Sequence, residues 1–145
     1  MSFNFKLLHG LLVTRQRLHH LTPATTATCT HCEEQVDENL QHALIQCSYN
    51  SGTGQNLLRV AKTFAPAMSA SSLLRLELPS LEDETVFSLA TLISAVLLSI
   101  WEKRHTRTRI TPFDTRATLE ARCLLLRKTR FVNHATILTE MINNL

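Results

Sequence analysis

Three of the four cysteines in this 145-residue chain fall between residues 29 and 47, in the order Cys29-x2-Cys32-x9-His42-x4-Cys47. No other feature constrains the fold as much, because these four soft ligands suit one ion only if both ends of the segment meet. Structural zinc takes four nitrogen or sulfur donors in a tetrahedron, usually a close cysteine pair and a second pair farther along. Cys29 and Cys32 have the spacing of a knuckle turn, and His42 and Cys47 suit a helical turn facing it. His31 lies between the paired cysteines, where ligation would strain the turn; His19 and His20 are more distant substitutes. The competing explanation is a set of unpaired intracellular thiols. Disulfides fit less well, since three cysteines with a histidine among them suit a metal better. With all four donors supplied by the chain, a zinc ion here is structural. Cys123, in a Leu-rich stretch, reads as a small core residue.

Only three Gly and four Pro occur, and the composition favours helices over a turn-rich β architecture. The expected fold is all-α: a small helical domain with an N-terminal CCHC zinc knuckle over residues 1–50 and a helical extension over 51–145, packed as one unit. The opening run predicts two short helices broken near Val13, the second capped by Thr14. "ENLQHALIQC" predicts a turn or two of helix carrying His42 toward Cys47. "NSGTG" is a loop, followed by a helix from about Gln55 to Phe64 that Pro66 ends. A short amphipathic piece, "ASSLLRLEL", comes next. Ser80 then has the pattern of an N-cap, with Glu82, Asp83 and Glu84 in the favoured first turn of a helix ending at Lys103, Arg104 and His105. Thr111, Pro112 and Asp114 start a final helix running to about His134, with a break possible before "ATILTEMINNL". "TVFSLATLISAVLLSIW" (85–101) is close to the lower limit for a membrane span, and a buried helix explains it at least as well.

Net charge is only +3, but unevenly spread. The cysteine segment holds Glu33, Glu34, Asp37 and Glu38 with no Lys or Arg, whereas residues 99–131 hold nine Lys or Arg against Glu102, Asp114 and Glu120. A basic half beside an acidic knuckle suits a polyanion, RNA or DNA. Arg15, Arg17, Lys103, Arg104, Arg107, Arg109, Arg116, Arg127, Lys128 and Arg130 are the candidate phosphate contacts. Of these, Arg127 and Arg130 share a helix face, while Arg116 can pair with Glu120. The plainer explanation of any single arginine is a solvated surface. Trp101 is better placed inside, at the end of an apolar helix, than stacked on a base.

The N-terminal third, "KLLHGLLVTRQRLHHL" followed by "CTHCEEQVDENLQHALIQC", resembles the zinc-binding domain that follows the reverse transcriptase in non-LTR retrotransposon polyproteins. Lys6, Leu8, His9, Gly10, Leu12, Thr14, Arg15, Arg17 and Leu18 match the first motif. Cys29, Cys32, Glu38, His42 and Cys47 match the second. Val13 stands where that family usually has proline, which implies a softer break. The resemblance covers residues 3–50 and implies a non-catalytic module that helps a reverse transcriptase domain, in cis or in trans, hold template RNA or target DNA. The chain is then either a piece of a polyprotein or a stand-alone remnant.

Catalysis is not expected. Paired Asp residues for two-metal polymerase chemistry are absent, as are a P-loop, G-x-S-x-G and H-E-x-x-H. A zinc-organised helical module that docks proteins without binding nucleic acid is the alternative. No secretory signal is evident, so a reducing compartment, nucleus or cytoplasm, is the expected location. A membrane-associated or mitochondrial remnant is the least favoured reading.

Overall fold

The structure, a computed structural model, describes residues 1–128 and 132–145. It is mostly helical, and the described residues contain no strand beyond one isolated antiparallel bridge between Thr28 and Asp37. Helix α1 spans Phe3–Leu8 and α2 Arg15–Leu21. Gly10 closes α1 in the left-handed region at φ +60°, a conformation glycine takes without steric cost, and Thr14 Oγ1 caps α2 by accepting from the Arg17 N–H. The break before α2 therefore falls where the sequence places it.

The cysteine loop leads into a π-helical turn, His42–Gln46, then a short 3-10 turn, Ser48–Asn50. Helix α3 (Thr53–Phe64) buries Leu57, Val60 and Ala61, one stripe at helical spacing. Helix α4 (Ala70–Leu74) opens with a Ser69/Ser72 capping box. Helix α5 (Asp83–His105) is the central element and packs against α3, the π-turn, α6 (Pro112–Arg127) and α7 (Val132–Asn143).

Burial of Leu89, Leu92, Ile93, Ala95, Val96, Leu97 and Ile100 runs around much of α5, so its sequence lacks a polar stripe. This explains why 85–101 reads like a membrane span: by length and composition α5 qualifies for one, and 44% of its apolar stretch is buried against neighbouring elements. Its hydroxyls turn inward to carbonyls, Thr91 to Phe87 and Ser99 to Ala95, or across to His134 from Ser88. Leu7, Leu12, Leu44 and Ile45 join Leu57, Ile93, Leu97 and Met141 in one core, so the cysteine-bearing third shares its apolar interior with the rest.

Two boundaries differ from expectation. Ser80 does not cap α5; the helix begins at Asp83, with Glu82 preceding it and making no side-chain cap bond. Leu78 and Leu81 pack against the core, which holds that approach out of the helix. The last helix divides earlier than His134, into α6 and α7, each with its own buried positions: Leu119 and Cys123 on α6, Ala135, Leu138, Met141 and Ile142 on α7. Thr111, Pro112 and Asp114 start α6 with the expected capping box.

Gly54 explains how α3 meets the π-turn. A β-carbon there would lie 2.2 Å from the Leu44 carbonyl oxygen and 2.6 Å from Ile45 Cα. Both obstacles are backbone, so no side-chain rotation relieves the clash. Gly54→Ala is expected to cost roughly 2 kcal/mol or more, read as a lowered midpoint in denaturant unfolding.

Candidate metal centre

Cys29, Cys32, His42 and Cys47 converge, with one donor atom of each lying within 4.8 Å of the others. Cys29 Sγ is 3.9 Å from Cys47 Sγ, and Cys32 Sγ is 3.4 Å from His42 Nε2. None of the four cysteines is in a disulfide, and Cys123 is buried in the core. The cluster can hold a metal ion. Four protein donors fill a tetrahedron and leave no position for a reacting water.

The chain assembles these donors with two local devices. In the first, the backbone closes the loop between α2 and the π-turn: Cys29 N–H donates to Val36 O and Glu38 N–H to Ala27 O. The His31 N–H points at Cys29 Sγ, 3.4 Å away. In the second, the turn after Leu40 widens to an i→i+5 bond from Cys47 N–H to His42 O. At 3.6 residues per turn, five residues advance about 500°, which would leave His42 and Cys47 roughly 140° apart. The π-turn removes much of that divergence and lets both face the cysteine pair. Asn39 Oδ1 accepts from the His42 N–H, and Asn50 Nδ2 donates to Ala43 O, holding the turn at both ends.

A buried ion pair lies against this cluster. Arg104, near the end of α5 and only 3% exposed, places Nη2 2.5 Å from Glu38 Oε2 and 3.6 Å from Cys29 Sγ. Glu38 is the hub. Its Oε1 accepts from the Arg15 N–H and its backbone oxygen from the Gln16 N–H, so with Thr14 it satisfies the first three N–H groups of α2. His31 bridges the same groups: Nε2 lies 3.2 Å from the Arg104 carbonyl oxygen and Nδ1 3.3 Å from Arg104 Nη2. With Nε2–H donating to the carbonyl, Nδ1 accepts from the guanidinium. His31, Glu38 and Cys29 also lie close enough to suggest a second ion, but Arg104 occupies that side.

Electrostatics follow this arrangement. Burial alone would raise the Glu38 carboxyl, but the Arg104 charge and the Arg15 N–H outweigh it and hold it below its ordinary range. Burial opposes charge on Arg104 too; contacts with the Cys47 and Cys29 sulfurs and the charge on Glu38 override it and raise the guanidinium pKa. Burial depresses the His42 imidazole, favouring the neutral form that ligates metals. Burial also pushes the Cys32 thiol up to about 12, so a metal ion binding there at neutral pH must displace its proton.

No family model, curated protein or solved structure matches this chain.

The basic residues among those described differ in burial and in partners. Arg104 departs from expectation: its place in the sequence suggests a phosphate contact, but the structure buries it, 3% exposed, against Glu38 and Cys29 Sγ. Arg15 donates through Nη2 to Thr26 Oγ1, and Arg17 to the Gly10 carbonyl. Lys103 lies 3.9 Å from Asp114, and Arg116 pairs with Glu120 at i, i+4 as its spacing suggests, at 2.9 Å. Arg127 reaches Thr139 Oγ1 on α7. Arg107, Arg109 and Lys128 are exposed. Arg130 lies outside the described residues, so the shared face expected for it and Arg127 is not described. In the sequence Glu38 stands out only through the family motif, because its acidic neighbours disguise it as one of a solvated set.

Proposed function

We propose that this chain is a non-catalytic, zinc-stabilised nucleic-acid-binding module of the kind that follows the reverse transcriptase in non-LTR retrotransposon polyproteins. Its reverse transcriptase partner acts in cis or in trans, in the reducing nucleus or cytoplasm. The carrying observation is the donor geometry. A tetrahedral ion with Zn–S near 2.3 Å and Zn–N near 2.05 Å sets S···S edges of about 3.8 Å and S···N edges of about 3.5 Å. Two of the six edges here are 3.9 and 3.4 Å, and all six lie within 4.8 Å. Cys29, Cys32, His42 and Cys47 would hold the zinc, which supplies a fold-stabilising crosslink between the cysteine loop and the π-turn. Three thiolates on Zn(II) leave one net negative charge; Arg104 lies between it and the Glu38 carboxylate and is shared by both. The exposed Arg107, Arg109 and Lys128, with Arg15, supply cations for a phosphate backbone.

Fluorescence anisotropy of the zinc-loaded protein with labelled single-stranded RNA and DNA across a salt series tests this reading. With three or four cations engaged, affinity should fall roughly 20- to 50-fold between 50 and 200 mM salt. Absence of binding at the lower salt contradicts the nucleic-acid part of the proposal.

One observation favours the second reading, a protein-docking module. Helix α6 exposes Phe113 (77%), Leu124 (57%) and Leu125 (66%), with Ala117 and Ala121 between them on the outer surface. Salt-insensitive association with a protein partner, without nucleic-acid affinity, is its signature.

A further inference from the structure

Where the cysteine loop meets the end of α5, a pocket of about 180 Å³ opens beside the ion pair. Its walls include Arg15, His31, Trp101, Arg104, His105 and Arg107. The one carboxylate among its lining residues, Glu38, is already bound to Arg104. Two lining arginines carry buried N–H groups without an acceptor, Nε of Arg15 and Nη1 of Arg104. Unsatisfied buried donors are uncommon, and both arginines that carry them line this cavity. Trp101 is half-buried, its ring 4.6 Å from that of His105.

The backbone at Arg107 adds an independent observation. Arg107 closes α5 in the left-handed region, φ 54°, with Thr108 N–H donating to Lys103 O and Arg107 N–H to Arg104 O. Helices that end in this way favour glycine at that position, because a β-carbon is strained there. An arginine in a glycine's place, at the mouth of a cationic pocket, trades cap stability for a charge.

We propose that this pocket is a subsite for single-stranded nucleic acid, seating one backbone phosphate between Arg15 and Arg107 and stacking the adjoining base on Trp101. Guanidinium forks suit phosphate oxygens, and an indole beside them suits a base of any identity. An acidic peptide would use the cations but leave the indole without a role. The inference rests on the nucleic-acid reading above and deepens it.

Trp101 is the only tryptophan, so its emission reports on this pocket alone. The zinc-loaded full chain is titrated with a twelve-residue oligo(dT), and separately with a twelve-residue poly-glutamate, while a labelled oligo(dT) is followed by anisotropy. Saturable quenching by oligo(dT) alone is expected. Arg107→Gly should weaken oligo(dT) binding about tenfold or more without lowering the melting temperature, since glycine suits the cap. Arg15→Gln should weaken it as well. Anisotropic binding with unchanged Trp101 emission and wild-type affinity in Arg107→Gly overturns the subsite and leaves the general nucleic-acid reading standing. Equal quenching by poly-glutamate overturns it in favour of an acidic peptide. No oligonucleotide binding at low salt overturns both.

Discussion

Replacing Cys47 with serine is expected to abolish metal binding at the cluster and the order of the first fifty residues. Cys47 ends the π-turn, lies 3.9 Å from Cys29 and is almost fully buried. Without the ion, two buried thiols, the half-buried Cys32 and the buried His42 imidazole face one another unlinked, and the cysteine loop before the π-turn has only backbone bonds and the Glu38–Arg104 pair to hold it. Structural zinc contributes on the order of 10 kcal/mol in small modules, comparable with the whole stability of an ordinary domain. Hydrogen exchange should therefore show lost protection in residues 1–50, with α5 and α7 retaining more. A chelator should reproduce the loss in the wild-type protein. Cys123→Ser is the control, because it buries a hydroxyl in the core yet keeps the metal, at a cost of about 1–3 kcal/mol.

Separating Arg104 from Glu38 has the second-largest expected effect. Each belongs to a buried pair, and removing one partner leaves an uncompensated charge. Arg104→Met or Glu38→Gln should each destabilise by roughly 3–5 kcal/mol, while the double variant should lose clearly less than the sum. A double-mutant cycle in urea measures that coupling. Arg104→Met should also weaken metal binding, since the guanidinium contacts Cys29 Sγ. The pH dependence follows from the depressed Glu38 carboxyl. Its contribution is complete above the ordinary carboxyl value of 4.5 and is lost as pH falls through the lower folded value. Additive single variants would mean that the two side chains do not act as a pair.

The features legible in the sequence are those whose partners are close along the chain. Cys29, Cys32, His42 and Cys47 declare their convergence by spacing alone. Thr14 and Thr111 announce their helices because an N-cap bonds a group three residues on. Ser80 carries the same signal and fails, since Leu78 and Leu81 dock on the core and delay the helix to Asp83. Periodicity gives no hint of the π-turn, without which an ordinary helix would splay His42 and Cys47 apart. The Glu38–Arg104 pair is also invisible: 66 residues separate the partners, and each has like-charged neighbours that suggest a solvated face. Its neighbours therefore suggest a phosphate contact for Arg104, although it joins α5 to the cysteine loop. An arginine's charge is evident from sequence, but its burial depends on tertiary packing.

Cobalt(II) titration of the metal-free protein tests the centre most directly, by visible and near-ultraviolet absorption. One equivalent should produce the intense visible bands of a tetrahedral ion and sulfur-to-metal charge transfer from three thiolates. Zinc should then displace it completely, and Cys47→Ser should diminish both signals. A pale, six-coordinate spectrum, or one unchanged in Cys47→Ser, would contradict a site built from Cys29, Cys32, His42 and Cys47.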